Sequence, residues 1–212
     1  MNISPAAIPA YDPAVDAPRP HHPIYDYDSG PPVNRGKFAI WLFLATEIMF
    51  FTGLIGTYIV LRMGSATWPD PADRLAVDIT ALNTFFLICS SATMVKGVER
   101  AMLGDNGGLI KWLALTVLIG SIFVGIQAYE YTELIKDGNL PNVDIFWSTF
   151  YAMTGFHGIH VAVGVIWNLC ILIAAIFRKI PQEKYMKVEL AGLYWHFVDL
   201  VWVLLFTIVY LM

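Results

Sequence analysis

Five apolar stretches follow one another along this chain, at residues 38–61, 76–95, 109–129, 145–177 and 190–212. Each is near or above the ~20 residues that a helix needs to cross about 30 Å of hydrocarbon. The pattern predicts an all-α membrane protein, a bundle of five transmembrane helices. The fourth stretch is overlong and is expected to tilt or to run past the headgroups. The second is the weakest, because Asp78, Thr80 and Asn83 fall in its first half. No internal repeat is visible, which argues against an inverted-repeat transporter. Residues 1–37 read differently: eight of the twelve prolines lie there, with clustered Asp and Tyr and a His21–His22 pair. Such a segment cannot bury enough surface to offset its chain entropy, so it is expected to be a disordered, Pro-rich tail ahead of a five-helix domain at 38–212. It contains no signal-peptide-like apolar run, so nothing points to cleavage or export.

The connections set an orientation. Ten of the thirteen Lys and Arg lie in the tail, in the second connection and in the fourth; only Arg62, Arg74 and Lys136 lie on the other side. The positive-inside rule then places the N-terminus in the cytoplasm and the C-terminus outside.

Composition narrows the function. Hydrophobic residues make up 57% of the chain and charged residues only 14%, against roughly a quarter charged in a soluble domain. A soluble globular enzyme is thereby excluded. The formal charge of −4 leaves no basic footprint for nucleic acid. Cys89 and Cys170 both lie inside apolar runs and no CxxCH occurs, so neither a disulfide framework, a zinc site nor a covalent c-type haem is expected.

Ionisable groups at bilayer depth are costly, and each is a functional candidate. Glu47 lies nine residues into the first stretch, about 14 Å deep at 1.5 Å per residue. No basic residue lies within a helical turn of it. Its carboxyl must be protonated, hydrogen-bonded to another helix or beside water, as a proton-relay or lipid-contact group or as an interhelical tie. In the fourth stretch, TGFHGIHVAVG sets His157 and His160 on one face, with Gly155, Gly158 and Gly164 allowing a neighbouring backbone to approach. Two histidines three apart on one helix cannot sandwich a haem, and His196 matches neither in depth, so structural hydrogen bonding is the preferred reading. In the fifth stretch, His196 and Asp199 share a face and are expected to satisfy each other. Glu130, in QAYEY, is expected to be interfacial or interhelical. Trp41, Trp112, Trp147 and Tyr129, near helix ends, are expected in aromatic belts.

Taken together, FLATEIMFFTGLIGTYIVLR, QAYEY, STFYAMTGFHGIHVAVG and YWHFVDLVWVLLFTIVYL resemble subunit III of the haem–copper terminal oxidases, in order and at family spacing from about Arg35 onward. The resemblance implies a cofactor-free accessory subunit of a complex that reduces oxygen to water and pumps protons, itself without catalytic or metal-ligating residues. It implies haem and copper in partner subunits, subunit I as the main contact with subunit II and a subunit IV as neighbours, and bound structural phospholipid. It further implies a multi-pass protein of a bacterial cytoplasmic membrane that supports proton uptake and durability of subunit I. Glu47 matches the family's carbodiimide-reactive membrane carboxylate. Glu130, His157, His160, His196 and Asp199 match motif positions and are read as a structural polar network. Mitochondrial-type members have seven helices, the first two splayed from the rest by a lipid-filled cleft; this chain starts at what would be the third. Its first helix should therefore border an apolar groove that lipid or another chain covers. Competing readings are an accessory protein of a nitric oxide reductase, a small proton-coupled transporter and a membrane-bound cytochrome b.

Overall fold

The computed structural model describes residues 34–212, so the expectation for the tail lies, for residues 1–33, outside the described residues. Helix α1 (Arg35–Gly64) is followed by a connection that holds a one-turn helix, α2 (Pro71–Arg74). Four long elements come next: α3 (Val77–Met102), α4 (Asn106–Lys136), α5 (Ile145–Ile176) and α6 (Met186–Phe206), the last continuing into a π-helical turn (Thr207–Leu211). The described residues contain no strand. Five helices are long and apolar enough to span a membrane, α6 counting together with its flanking turns over Gln182–Leu211. They match the five predicted stretches, and α1 starts at Arg35, ahead of its apolar run.

Helix ends follow from local chemistry. Asp105 and Asp144 cap α4 and α5, their carboxylates accepting from the backbone N–H of Gly108 and Trp147, two of the orphan donors of a helix start. Asp70 does the same for α2, where Pro71 occupies the first turn and loses no needed donor. Gly104 and Gly138, at φ +73° and +79°, take the left-handed conformation that closes α3 and α4.

The weak second stretch holds because its polar side chains face inward. Thr80, Asn83, Thr84, Ser90 and Thr93 are buried, and in hydrocarbon each needs a partner. Asn83 donates to the Phe123 carbonyl (3.3 Å), and Thr93 meets Thr116 of α4 (2.7 Å). Trp195 and Trp202 of α6 donate their indole N–H to Ser90 (3.0 Å) and Thr84 (2.8 Å). Trp195 is also clamped sideways. A Cβ at Gly120 would stand 2.6 Å from its ring and one at Gly164 2.9 Å, so these glycines are seats for an indole. The backbone approach expected at Gly164 is replaced by a side chain. Gly158 likewise makes room for the Gln127 side chain.

Connections tie both ends. Lys37 at the start of α1 pairs with Glu189 at the start of α6 (2.7 Å). At the opposite end the Arg62 guanidinium donates to the Met212 carbonyl, and Arg74 pairs with Asp144 (2.9 Å) beside the Trp147 ring. Trp147 is fully buried and packs edge-on against Phe146 and Phe150. It belongs to the core, not to a belt. Trp41 and Tyr129 are exposed.

Candidate functional site

α1 touches the bundle along one narrow seam: its buried residues are Leu44, Phe51 and Tyr58, spaced by seven, two turns apart. Glu47 lies one turn from Leu44 and one from Phe51. Its Oε2 stands 3.1 Å from Nε2 of His160 on α5, with the two side chains 18% and 19% exposed. The other ring nitrogen, Nδ1, lies 2.7 Å from the Phe156 carbonyl oxygen. A carbonyl only accepts, so Nδ1 carries a proton and Nε2 faces Glu47. A hydrogen bond between carboxyl and imidazole then needs one further proton between them. It makes either a neutral acid donating to a neutral ring or a carboxylate accepting from an imidazolium, and both forms keep both bonds. The Phe51 ring packs edge-on against His160 at 5.1 Å, and Tyr194 donates to the His160 backbone carbonyl (3.1 Å). The partner of Glu47 was invisible locally because it sits 113 residues away.

His157, one turn before His160, has a different fate. It is fully buried, stacked on Trp202 (centroids 4.9 Å apart, planes 26°) and edge-on to Phe51 and Phe123. Neither of its ring nitrogens has a protein hydrogen-bond partner. His196 and Asp199 do not simply satisfy each other, as spacing on one helix had indicated. His196 Nδ1 lies 2.6 Å from the hydroxyl of Ser91 on α3, and Ser91 also interacts with the Asp199 carboxyl. The neighbouring helix supplies the bridging hydroxyl, which spacing along α6 alone could not reveal.

Glu130 faces inward near the end of α4, its carboxyl met by Tyr210 (3.3 and 3.5 Å) and Thr80 (3.5 Å). The six polar residues therefore fall into separate clusters: Glu47–His160, a His157 stack, Ser91–His196–Asp199, and Glu130–Tyr210–Thr80. Ser91, Thr80 and Tyr210 are the members that sequence reading missed. Small hydroxyls in an apolar run were the only signal for the first two.

Between α1 and α6 runs an apolar groove of about 390 Å³, its walls including Trp41, Ile48 and Thr52 on one side and His196, Phe197 and Leu200 on the other. Among the described residues no cluster of three or more His, Cys, Asp or Glu is arranged to hold a metal ion. The three membrane histidines are committed elsewhere: both nitrogens of His160 are engaged, the ring of His157 is enclosed by aromatics, and His196 is bonded to Ser91.

Comparison with known proteins adds to this geometry. The family model described as cytochrome c oxidase subunit III matches residues 25–212. The chain is 36% identical over 172 residues to quinol oxidase subunit 3 of Bacillus subtilis, covering 81% of this chain and 84% of that one. It is 36% identical over 181 residues to cytochrome c oxidase subunit 3 of Alkalihalophilus pseudofirmus, covering 84% and 88%. It is 33% identical over 192 residues to cytochrome bo(3) ubiquinol oxidase subunit 3 of Pseudomonas aeruginosa, covering 91% and 90%.

Proposed function

Because the chain belongs to the cytochrome c oxidase subunit III family, we propose that it is the cofactor-free accessory subunit of a bacterial haem–copper oxidase that sustains proton uptake and durability of subunit I. Haem and copper, and with them the oxygen chemistry, reside in partner subunits. The relatives include subunits of both cytochrome c and quinol oxidases, so the electron donor is left to those partners. The readings as a nitric oxide reductase accessory protein and as a proton-coupled transporter find no support among these relatives.

The observation that carries the reading is the Glu47–His160 pair. A carboxyl and an imidazole 3.1 Å apart inside a span form a unit that can hold a proton on either partner without moving a helix. That is the property required of a group that supports proton traffic in a neighbour. The apolar groove between α1 and α6 suits phospholipid chains, which would cover the exposed side of α1. Subunit I is the main expected contact, with subunit II and a subunit IV nearby. The Lys/Arg distribution supports a cytoplasmic N-terminus, and the bacterial relatives support a bacterial inner membrane. The Lys37–Glu189 pair supports a common end for the starts of α1 and α6.

Glu47→Gln in the assembled complex tests the reading. Gln keeps the size and can still donate to His160, so assembly and the visible spectrum should be unchanged, while inactivation during turnover becomes faster. Wild-type Glu47 should react with a lipophilic carbodiimide. A mutant inactive from its first turnover with intact haem spectra, or an unreactive Glu47, would overturn it.

A further inference from the structure

We propose that Glu130 is a proton-exchanging carboxyl, served through Tyr210 from the end of the bundle opposite the Lys37–Glu189 pair. This goes beyond the role proposed for Glu47 and uses a different helix, different partners and the other end of the molecule.

Proton bookkeeping at the carboxyl is the first argument. Tyr210 donates its hydroxyl proton across both oxygens, at 3.3 Å to Oε1 and 3.5 Å to Oε2. Thr80 Oγ1 lies 3.5 Å from Oε1 and 3.0 Å from the Ala76 carbonyl oxygen. A hydroxyl has one proton and two lone pairs. With its proton on the Ala76 carbonyl, Thr80 offers Glu130 an acceptor, and the carboxylic acid form donates to it. With the hydroxyl turned, Thr80 donates instead, and the carboxylate receives bonds from Thr80 and Tyr210. Rotation of one O–H therefore satisfies either form, and no heavy atom need move. A carboxylate kept only as an ionic tie would have a fixed cation. Among the described residues no Lys, Arg or His pairs with Glu130. The ionisable groups that face it are tyrosines: Tyr131 beside it, Tyr151 from α5 and Tyr210.

Access is the second argument. Tyr210 also lines a pocket of about 660 Å³, bounded by Arg62 at the end of α1, Trp68 and Asp70 of the following connection, and Asp78 at the start of α3. Unlike the α1–α6 groove, this pocket carries charged side chains of both signs. Its volume is many times the ~30 Å³ share of a water molecule in the liquid. Tyr210 thus belongs both to a polar pocket and to the hydrogen-bond shell of a carboxyl inside a span. The turn that presents it, Thr207–Leu211, is π-helical, a widened turn that is uncommon and concentrates at functional sites. In the transfer, Tyr210 passes its hydroxyl proton to the Glu130 carboxylate as it takes one from a hydronium ion in the pocket, which is left as water; the reverse step returns it. No electron moves and no other reactant is consumed.

Infrared difference spectroscopy on the intact complex reads this directly. The expected result is a carboxylic-acid C=O band that changes amplitude with pH, shifts in D₂O and is lost in Glu130→Gln. Should that variant fail to assemble, Thr80→Val, which removes the hydroxyl that accepts from the acid form and donates to the carboxylate, should shift the same band. Tyr210→Phe should keep the band but slow its hydrogen–deuterium exchange. In vesicles the band should follow the pH of whichever face labels a cysteine at Asn142, in the α4–α5 connection, so a wrong orientation is distinguished from a wrong site. A band constant over the pH range of the folded complex, exchange unaltered by Tyr210→Phe, or a response to the opposite face would each overturn the proposal.

Discussion

Helices α1 and α6 lie on either side of the same groove, yet they are built on opposite plans. In 30 residues α1 buries three side chains, Leu44, Phe51 and Tyr58. In 21 residues α6 buries ten, including Tyr194, Trp195 and Trp202, as well as Gly192. Two of the α6 aromatics also spend their polar atoms inside, on Ser90 and Thr84. α1 is held instead by its seam, the Glu47–His160 bond and ties near its two ends. α6 is the hub of the subunit's own core. α1 is an attached wall whose remaining apolar surface faces outward. In a bilayer such exposure is not itself a penalty, because lipid is as apolar as the side chains; the difference measures where close packing fixes structure.

The sharpest way to break this contrast is one chemical change made twice. At Gly120 of α4 an added methyl would stand 2.6 Å from the Trp195 ring and 3.0 Å from Val165. Overpacking of this kind costs about 1–3 kcal/mol. At Gly56 of α1 a Cβ meets nothing within 4 Å, and Gly→Ala in a helix interior gains up to about 1 kcal/mol. Gly120→Ala should therefore lower the melting temperature of the detergent-solubilised chain, and Gly56→Ala should leave it unchanged or raise it. A loss at Gly56 seen only in the assembled complex would place a partner against that face of α1.

A smaller effect is expected at Trp202. Trp202→Phe keeps a ring against His157 but deletes the donor to Thr84 (2.8 Å). Losing one hydrogen bond and part of the buried ring should cost about 1–2 kcal/mol, measured as a lower melting temperature with haem spectra of the complex unchanged.

Much of this architecture is legible in the sequence, because spans are set by length and apolarity and each is a local property. The overlong fourth stretch emerges as α5, and Asp78, Thr80 and Asn83 weaken α3 on paper without preventing it, since two of them are turned inward. Pairings were illegible wherever they join distant helices. Nothing near Glu47 announces His160, and nothing in YWHFVD announces that Ser91 stands between His196 and Asp199. The shared face of His157 and His160 was also only half informative. A turn of α5 directs one ring to α1 and the other into the aromatic core. The glycines around them, read as helix contacts, accommodate Gln127 and Trp195, a difference that only the opposing surface decides.

The weakest tie on α1 offers the finest test. Lys37 and Glu189 form a 2.7 Å pair whose side chains are 35% and 19% exposed, a partly solvated arrangement for which about 0–1 kcal/mol is expected. The second carboxylate oxygen of Glu189, Oε2, is buried without a partner, so Lys37→Met would leave a half-buried charge unpaired and should fall toward the upper end of that range. Lys37→Met/Glu189→Gln removes both charges and should recover part of the loss, with the coupling read from a double-mutant cycle. Because the pair is partly open to solvent, raising the ionic strength toward 1 M, where the screening length is about 3 Å, should shrink the coupling. The Gly120→Ala penalty, which is steric, should not respond to salt. A Lys37–Glu189 coupling that persisted at high salt would mean that the start of α1 is as firmly enclosed as α6, and the contrast between the two helices would then hold only for their membrane-spanning centres.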